Sequence, residues 1–73
     1  MKALNSIKNL LTKDGATVKN INLFGDVLIV DLSLNSLDQI KRFNSVGNSK
    51  GMFKNSEIEV KENKIIFSAL MAI

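Results

Sequence analysis

The stretch Val27-Leu28-Ile29-Val30-Asp31-Leu32-Ser33-Leu34 limits what this chain can fold into more than any other. It opens on consecutive apolar residues and then alternates, with Leu28, Val30, Leu32 and Leu34 on one side and Asp31 and Ser33 on the other. Strict alternation of branched apolar and polar residues dictates a β-strand with one buried face. Val27 and Ile29 add apolar residues to the second face, so part of that face is expected to be covered and the strand to lie in mid-sheet. Residues 64–71 are the only other stretch of this character, and the two are predicted to be the central strands.

Each central strand closes a helix–strand–strand unit. In the first unit Leu4, Ile7, Leu10 and Leu11 mark one face of a helix over residues 3–13. Lys13 suits the last turn, and Asp14-Gly15 ends the helix. Residues 17–23 read as an irregular strand. Ile21 and Leu23 share one parity and Val18 has the other, so a bulge near Lys19-Asn20, at a sheet edge, is needed to reconcile them. Phe24-Gly25-Asp26 turns into the central strand.

In the second unit Asn35 or Ser36 can cap a helix over 36–43, with Leu37, Ile40 and Phe43 as its buried stripe. Residues 44–56 are rich in Gly, Ser and Asn and read as a mobile loop that tolerates shortening. Gly47 and Gly51 flank Lys50 but do not complete a phosphate-cradling motif. Met52-Phe53 is expected to fold back over the core. Residues 57–61 form an edge strand with Ile58 and Val60 inward, and Glu62-Asn63 is a hairpin turn.

Asn5-Ser6-Ile7-Lys8-Asn9-Leu10 parallels Asn35-Ser36-Leu37-Asp38-Gln39-Ile40. The chain therefore reads as one domain over residues 1–73, built from two αββ pseudo-repeats at about 3–34 and 35–71. Two such units fold into an α+β domain: a four-stranded antiparallel sheet, polar strands at its edges, both helices on one face. This is a circularly permuted ferredoxin-like sandwich. Its core is expected to draw on Leu4, Ile7, Leu11, Ile21, Leu28, Val30, Leu32, Leu37, Ile40, Phe43, Ile58, Val60, Ile65 and Phe67.

Composition narrows the chemistry. The chain has no Cys and no His, so disulfides, thiolate metal sites and the usual general base are all absent. Its carboxylates fall in turns or on outward strand faces, with no nucleophile, base and orienting group in one constellation. The reading is non-enzymatic, with no cofactor, metal or small-molecule substrate. The net charge of +3 comes from ten Lys/Arg and seven Asp/Glu. The lysines are scattered and only Lys41-Arg42 are adjacent, whereas nucleic-acid domains show a denser stripe. A base-stacking platform is lacking too: Tyr and Trp are absent, Phe43 lies on a buried stripe, Phe24 and Phe53 lie in connections, and Phe67 stands alone in a central strand. The Met1-Lys2-Ala3-Leu4 start has no signal-peptide core, and the apolar tract over 65–73 falls short of the ~20 residues that span a bilayer. A domain this small buries only about 60% of its unfolded surface. Association with a second chain is therefore expected.

The pattern resembles the periplasmic ferredoxin-like domain of the PilO/GspM proteins, in the inner-membrane assembly platforms of type IV pili and type II secretion systems. The resemblance rests on Ile7-Lys8-Asn9-Leu10-Leu11 followed by Asp14-Gly15-Ala16-Thr17-Val18, on Gly25-Asp26-Val27-Leu28-Ile29-Val30, on Ser36-Leu37 through Phe43, and on Ile58-Glu59-Val60 with Ile65-Ile66-Phe67. It covers most of the chain through hydrophobicity and turn placement, without an invariant motif. The transmembrane helix and coiled coil that precede the domain in full-length members have no counterpart here. The resemblance implies a scaffolding role in the periplasm, as an excised domain of an inner-membrane protein, paired with a second copy or with a related platform subunit. Contact with the membrane would come only through a segment outside this chain. The candidate interface is the less charged edge strand and the apolar C-terminal end: Thr17, Lys19, Ile21, Leu70, Met71 and Ile73. The alternatives are a small cytoplasmic inhibitor or adaptor of a mobile element, or a weak nucleic-acid-binding module.

Overall fold

In the computed structural model, residues 2–72 are described, with side chains from residue 4 onward. Helix α1 spans Lys2–Lys13, strand β1 Val18–Phe24 and strand β2 Val27–Leu32. A 3-10 turn at Leu34–Ser36 leads into helix α2, Leu37–Ser49, followed by β3, Phe53–Val60, and β4, Ile65–Met71. The domain is α+β, with one four-stranded sheet in the order β1-β2-β4-β3 and every neighbour antiparallel. The two apolar strands are central, as their alternation requires.

Register explains the single core. Leu28, Val30 and Leu32 stand opposite Ala69, Phe67 and Ile65, and all six are buried. They form one cluster with Ile7 and Leu11 of α1 and Ile40 of α2, so both helices cover the same face. Phe43, Phe53 and Phe67 meet at the centre of α2, β3 and β4, with ring centroids 5.6–5.8 Å apart. Tilted and edge-on pairs at this distance add roughly 0.5–1.5 kcal/mol each beyond their area.

Both helices end the same way. The Gly15 N–H donates to the Thr12 carbonyl and that of Ala16 to Leu11; the Gly51 N–H donates to Asn48 and that of Met52 to Gly47. These paired bonds are the Schellman arrangement, which needs a positive φ at the closing residue; Gly15 and Gly51 adopt +96° and +71°. Each glycine is followed by an edge strand that carries a bulge. Lys19 is extra between the pairs Val18–Leu32 and Asn20–Asp31, and Lys54 between Phe53–Met71 and Asn55–Leu70. Beyond each bulge an asparagine, Asn20 or Asn55, accepts the N–H of the next residue on its own side chain, at 3.0 Å in both cases. The two helix–strand segments thus share a glycine stop, a Lys-Asn bulge and an edge strand.

Several expectations change. Residues 44–56 are not a mobile loop. Helix α2 runs on to Ser49 and β3 begins at Phe53, leaving a three-residue link, Lys50 to Met52. The reason is packing: Gly47 is buried against the Phe53 ring, and Ser56 Oγ donates to Asn44 Oδ1 at 2.6 Å, tying helix to strand. Phe53 is a buried strand residue rather than a lid. Val60 faces the helical side opposite Ile65 but is 58% exposed, because the outer end of an edge strand lies beyond the helical cover. Leu34 leaves the strand for the 3-10 turn and is exposed. Ala16, Phe53 and Ala69 join the core in addition to the residues that periodicity selects. Met71 completes β4, its N–H donating to the Asp26 carbonyl, and Ala72 bonds back to Met52.

Ser36 does not cap α2 with its side chain. Its fully buried hydroxyl oxygen instead accepts the Thr17 N–H at 2.7 Å, fastening the start of α2 to the entry of β1. Ser36→Ala leaves that N–H without a partner, and the expected loss is about 1–3 kcal/mol. Urea unfolding followed by circular dichroism measures it; an unchanged midpoint would mean that Thr17 finds water instead.

Candidate functional site

With both helices on one face, the opposite face of the sheet has no cover from the described residues. Alternation decides what it shows. Asp31 lies between the buried Val30 and Leu32, so Val27, Ile29 and Asp31 point outward from β2, and Ile66, Ser68 and Leu70 from β4. Register adds the edge strands: Phe24, Asn22 and Asn20 from β1, and Asn55, Glu57 and Glu59 from β3.

The result is a grid with three rows across the strands. The first is Phe24–Val27–Leu70–Asn55, the second Asn22–Ile29–Ser68–Glu57, the third Asn20–Asp31–Ile66–Glu59. Phe24 is 62% exposed and Val27 37%, with Ile29, Ile66 and Leu70 half-buried beside them. Apolar side chains hold most of the two central strands and amides and carboxylates most of the edges, with Phe24 at one edge and Asp31 and Ser68 in the centre as the exceptions, a layout close to that of protein interfaces. Charge is confined to one end and one edge. Asp31 sits 3.8 Å from Lys64, and Glu59 pairs with Lys61. Exposed pairs of this kind contribute little to stability. Glu57 has no ion-pair partner among the described residues and leaves a negative charge on the β3 margin.

The sequence-predicted interface residues are dispersed by the fold. Thr17 and Lys19 lie at the Leu32 end of edge strand β1, and Lys19 Nζ donates to the Asn63 carbonyl at 3.3 Å. Ile21 points to the helical side, opposite Val30, and packs on the core. Leu70 and Met71 lie at the other end of the sheet, and only Leu70 is on the open face; Met71 packs on the core. Ile73 lies outside the described residues. Of the set, Leu70 alone joins the apolar row.

Sequence reasoning misses Phe24, because it precedes Gly25 and reads as part of the turn. Val27 and Ile29 are legible as outward apolar residues, but their apolarity suggests a cover that the fold does not supply. Among the described residues, no group of three or more His, Cys, Asp or Glu could hold a metal ion. No helix among them is long and apolar enough to cross a membrane. No family model, curated protein or solved structure matches the chain.

Proposed function

We propose that this protein is a non-enzymatic association domain that works by pairing, through its uncovered sheet face, with a second copy of itself. The observation that carries the reading is the apolar row Phe24–Val27–Leu70, with Ile29 and Ile66 below it, on a face no helix covers. The charge pattern favours a second copy as occupant. A two-fold axis parallel to the strands exchanges β1 with β3 and β2 with β4 within each row. Val27 then meets Leu70 of the other copy, Phe24 meets Asn55, and Glu57 and Glu59 meet the amides of Asn22 and Asn20. An axis across the strands would set Glu57 against itself, and like charges oppose contact. Sheets packed face to face cross at about 30°, which this arrangement accommodates.

The wider identity is part of the same proposal. Read cyclically from β4, the element order becomes β-α-β-β-α-β, the ferredoxin-like succession, and the observed strand order supports a permuted member of that class. The setting that the resemblance implies is an inner-membrane platform of a type II secretion system or type IV pilus, with the domain as a periplasmic scaffold.

Sedimentation mass at micromolar concentration tests the pairing. A dimer is expected for the parent chain and a monomer for Val27→Lys combined with Leu70→Lys, both outward positions that leave the core intact. Because the chain has no cysteine, Asn22→Cys and Glu57→Cys proteins can be mixed and oxidised. Disulfides should form between the two variants and not within either alone. A monomeric parent chain would sink the self-pairing and turn attention to a related subunit.

A further inference from the structure

We infer that the groove between α1 and α2 docks an acidic amphipathic helix of a different protein, independently of the sheet face. The groove has a volume of about 340 Å³ and is bounded by Leu10, Phe43, Val46 and Met52, with Lys50 and the Arg42–Asp14 ion pair at its margin, a net positive charge. Leu10 is 58% exposed and Val46 51%, the most open large apolar residues of the helical layer. Neither is needed by the core, which takes Ile7, Leu11 and Ile40 from the same helices. The groove follows α2 from Gln39 to its C-cap residue Lys50, about 16 Å at the helical rise, or three turns. That length suits the i, i+3, i+7 anchors by which an amphipathic helix lies in a groove.

Two further observations specify the chemistry. The first is charge. Arg42 donates from Nε to Asp14 Oδ2 at 3.0 Å, with Nη2 3.0 Å from the same oxygen as the ion pair, and its Nη1 N–H groups stay free among the described residues. Lys50 has no ion-pair partner among the described residues. These cations are eight positions apart, about 12 Å along α2, the spacing of carboxylates two turns apart on a docked helix. The second is an orphan. Gln39 Oε1 is buried at the groove with no hydrogen-bond partner. An acceptor left in that state costs stability until a donor reaches it. A Ser, Thr, Asn or Gln on the incoming helix would supply it. The sheet face carries carboxylates at its margin, so an acidic helix discriminates between the two surfaces.

The probe is a synthetic amphipathic peptide about four turns long, with leucines at i, i+3, i+4 and i+7, a serine between them, and glutamates flanking. Its control carries lysines in place of the glutamates. Amide shifts on titration into the full chain should move at Leu10, Gln39, Val46 and Met52 with the acidic peptide, and at least tenfold less readily with the basic one. Lys50→Glu should weaken the acidic peptide about tenfold and favour the basic one. Gln39→Met should raise the thermal midpoint while weakening the peptide several-fold, a combination that a purely structural role for Gln39 would not give. Val27→Lys should leave binding unchanged, which separates this groove from the sheet-face pairing. Equal binding of the two peptides, shifts confined to the sheet face, or the same groove shifts with phosphatidylglycerol vesicles and none with peptide would each overturn the inference.

Discussion

Phe67→Ala is expected to remove roughly half of the chain's stability at 25 °C. Phe67 is fully buried in central strand β4 and contacts both Phe43 and Phe53 edge-on. Truncating a buried phenylalanine costs roughly 3–5 kcal/mol, the lost transfer energy plus the cavity left behind. A domain of this size has only about 4–11 kcal/mol of stability in total. The cavity cannot collapse easily, because Leu28, Val30 and Ile65 on the same face are held by strand pairing on either side. Phe67→Leu, which keeps most of the volume, should lose far less. Far-ultraviolet circular dichroism against urea gives both values, and a cooperative Phe67→Ala transition near the parent midpoint would show that the aromatic centre is not where the stability resides.

Gly47 carries the second large effect, against the usual rule. In an open helix, Gly→Ala gains about 1 kcal/mol. Here an added Cβ would stand 2.2 Å from Phe53 Cε2 and 2.7 Å from Cζ. The ring cannot swing aside, since Phe43 and Phe67 flank it at 5.7 and 5.6 Å. Overpacking costs typically 1–3 kcal/mol and sometimes more. Gly47→Ala should therefore lose about 2 kcal/mol net, and its thermal midpoint should fall by roughly 8–16 °C. Gly47→Val should lose more. In a Phe53→Leu background the alanine should become neutral or favourable, so the double-mutant cycle isolates the contact. Deleting residues 47–50 removes this contact and the last turn of α2, and loss of the fold is expected. A more stable Gly47→Ala protein would show the ring free to move.

These two sites mark where sequence patterning suffices and where it does not. Phe67 is legible because the alternation around it is strong and period-two patterning assigns faces directly. The parity break at Val18 is enough to locate the Lys19 bulge, and the register of β1 against β2 places it there. The equivalent bulge at Lys54 is hidden. Asn44-Ser45-Val46-Gly47-Asn48-Ser49 has weak helix propensity and reads as loop, so the strand after it is expected to start too late. Propensity loses there to tertiary packing, because the missing Gly47 side chain is what admits the Phe53 ring to the core.

Local periodicity and turn chemistry dictate the order of the elements, the two central strands, the glycine stop of the first helix and most of the core. Long-range packing alone settles which apolar residues are covered. Val27 and Ile29 are as hydrophobic as Val30, but both helices pack on the other side of the sheet. Leu10 is as apolar as Leu11, yet only Leu11 meets the strands. Cover depends on where two helices come to rest over a sheet, a property of long-range contacts that no local window of sequence contains.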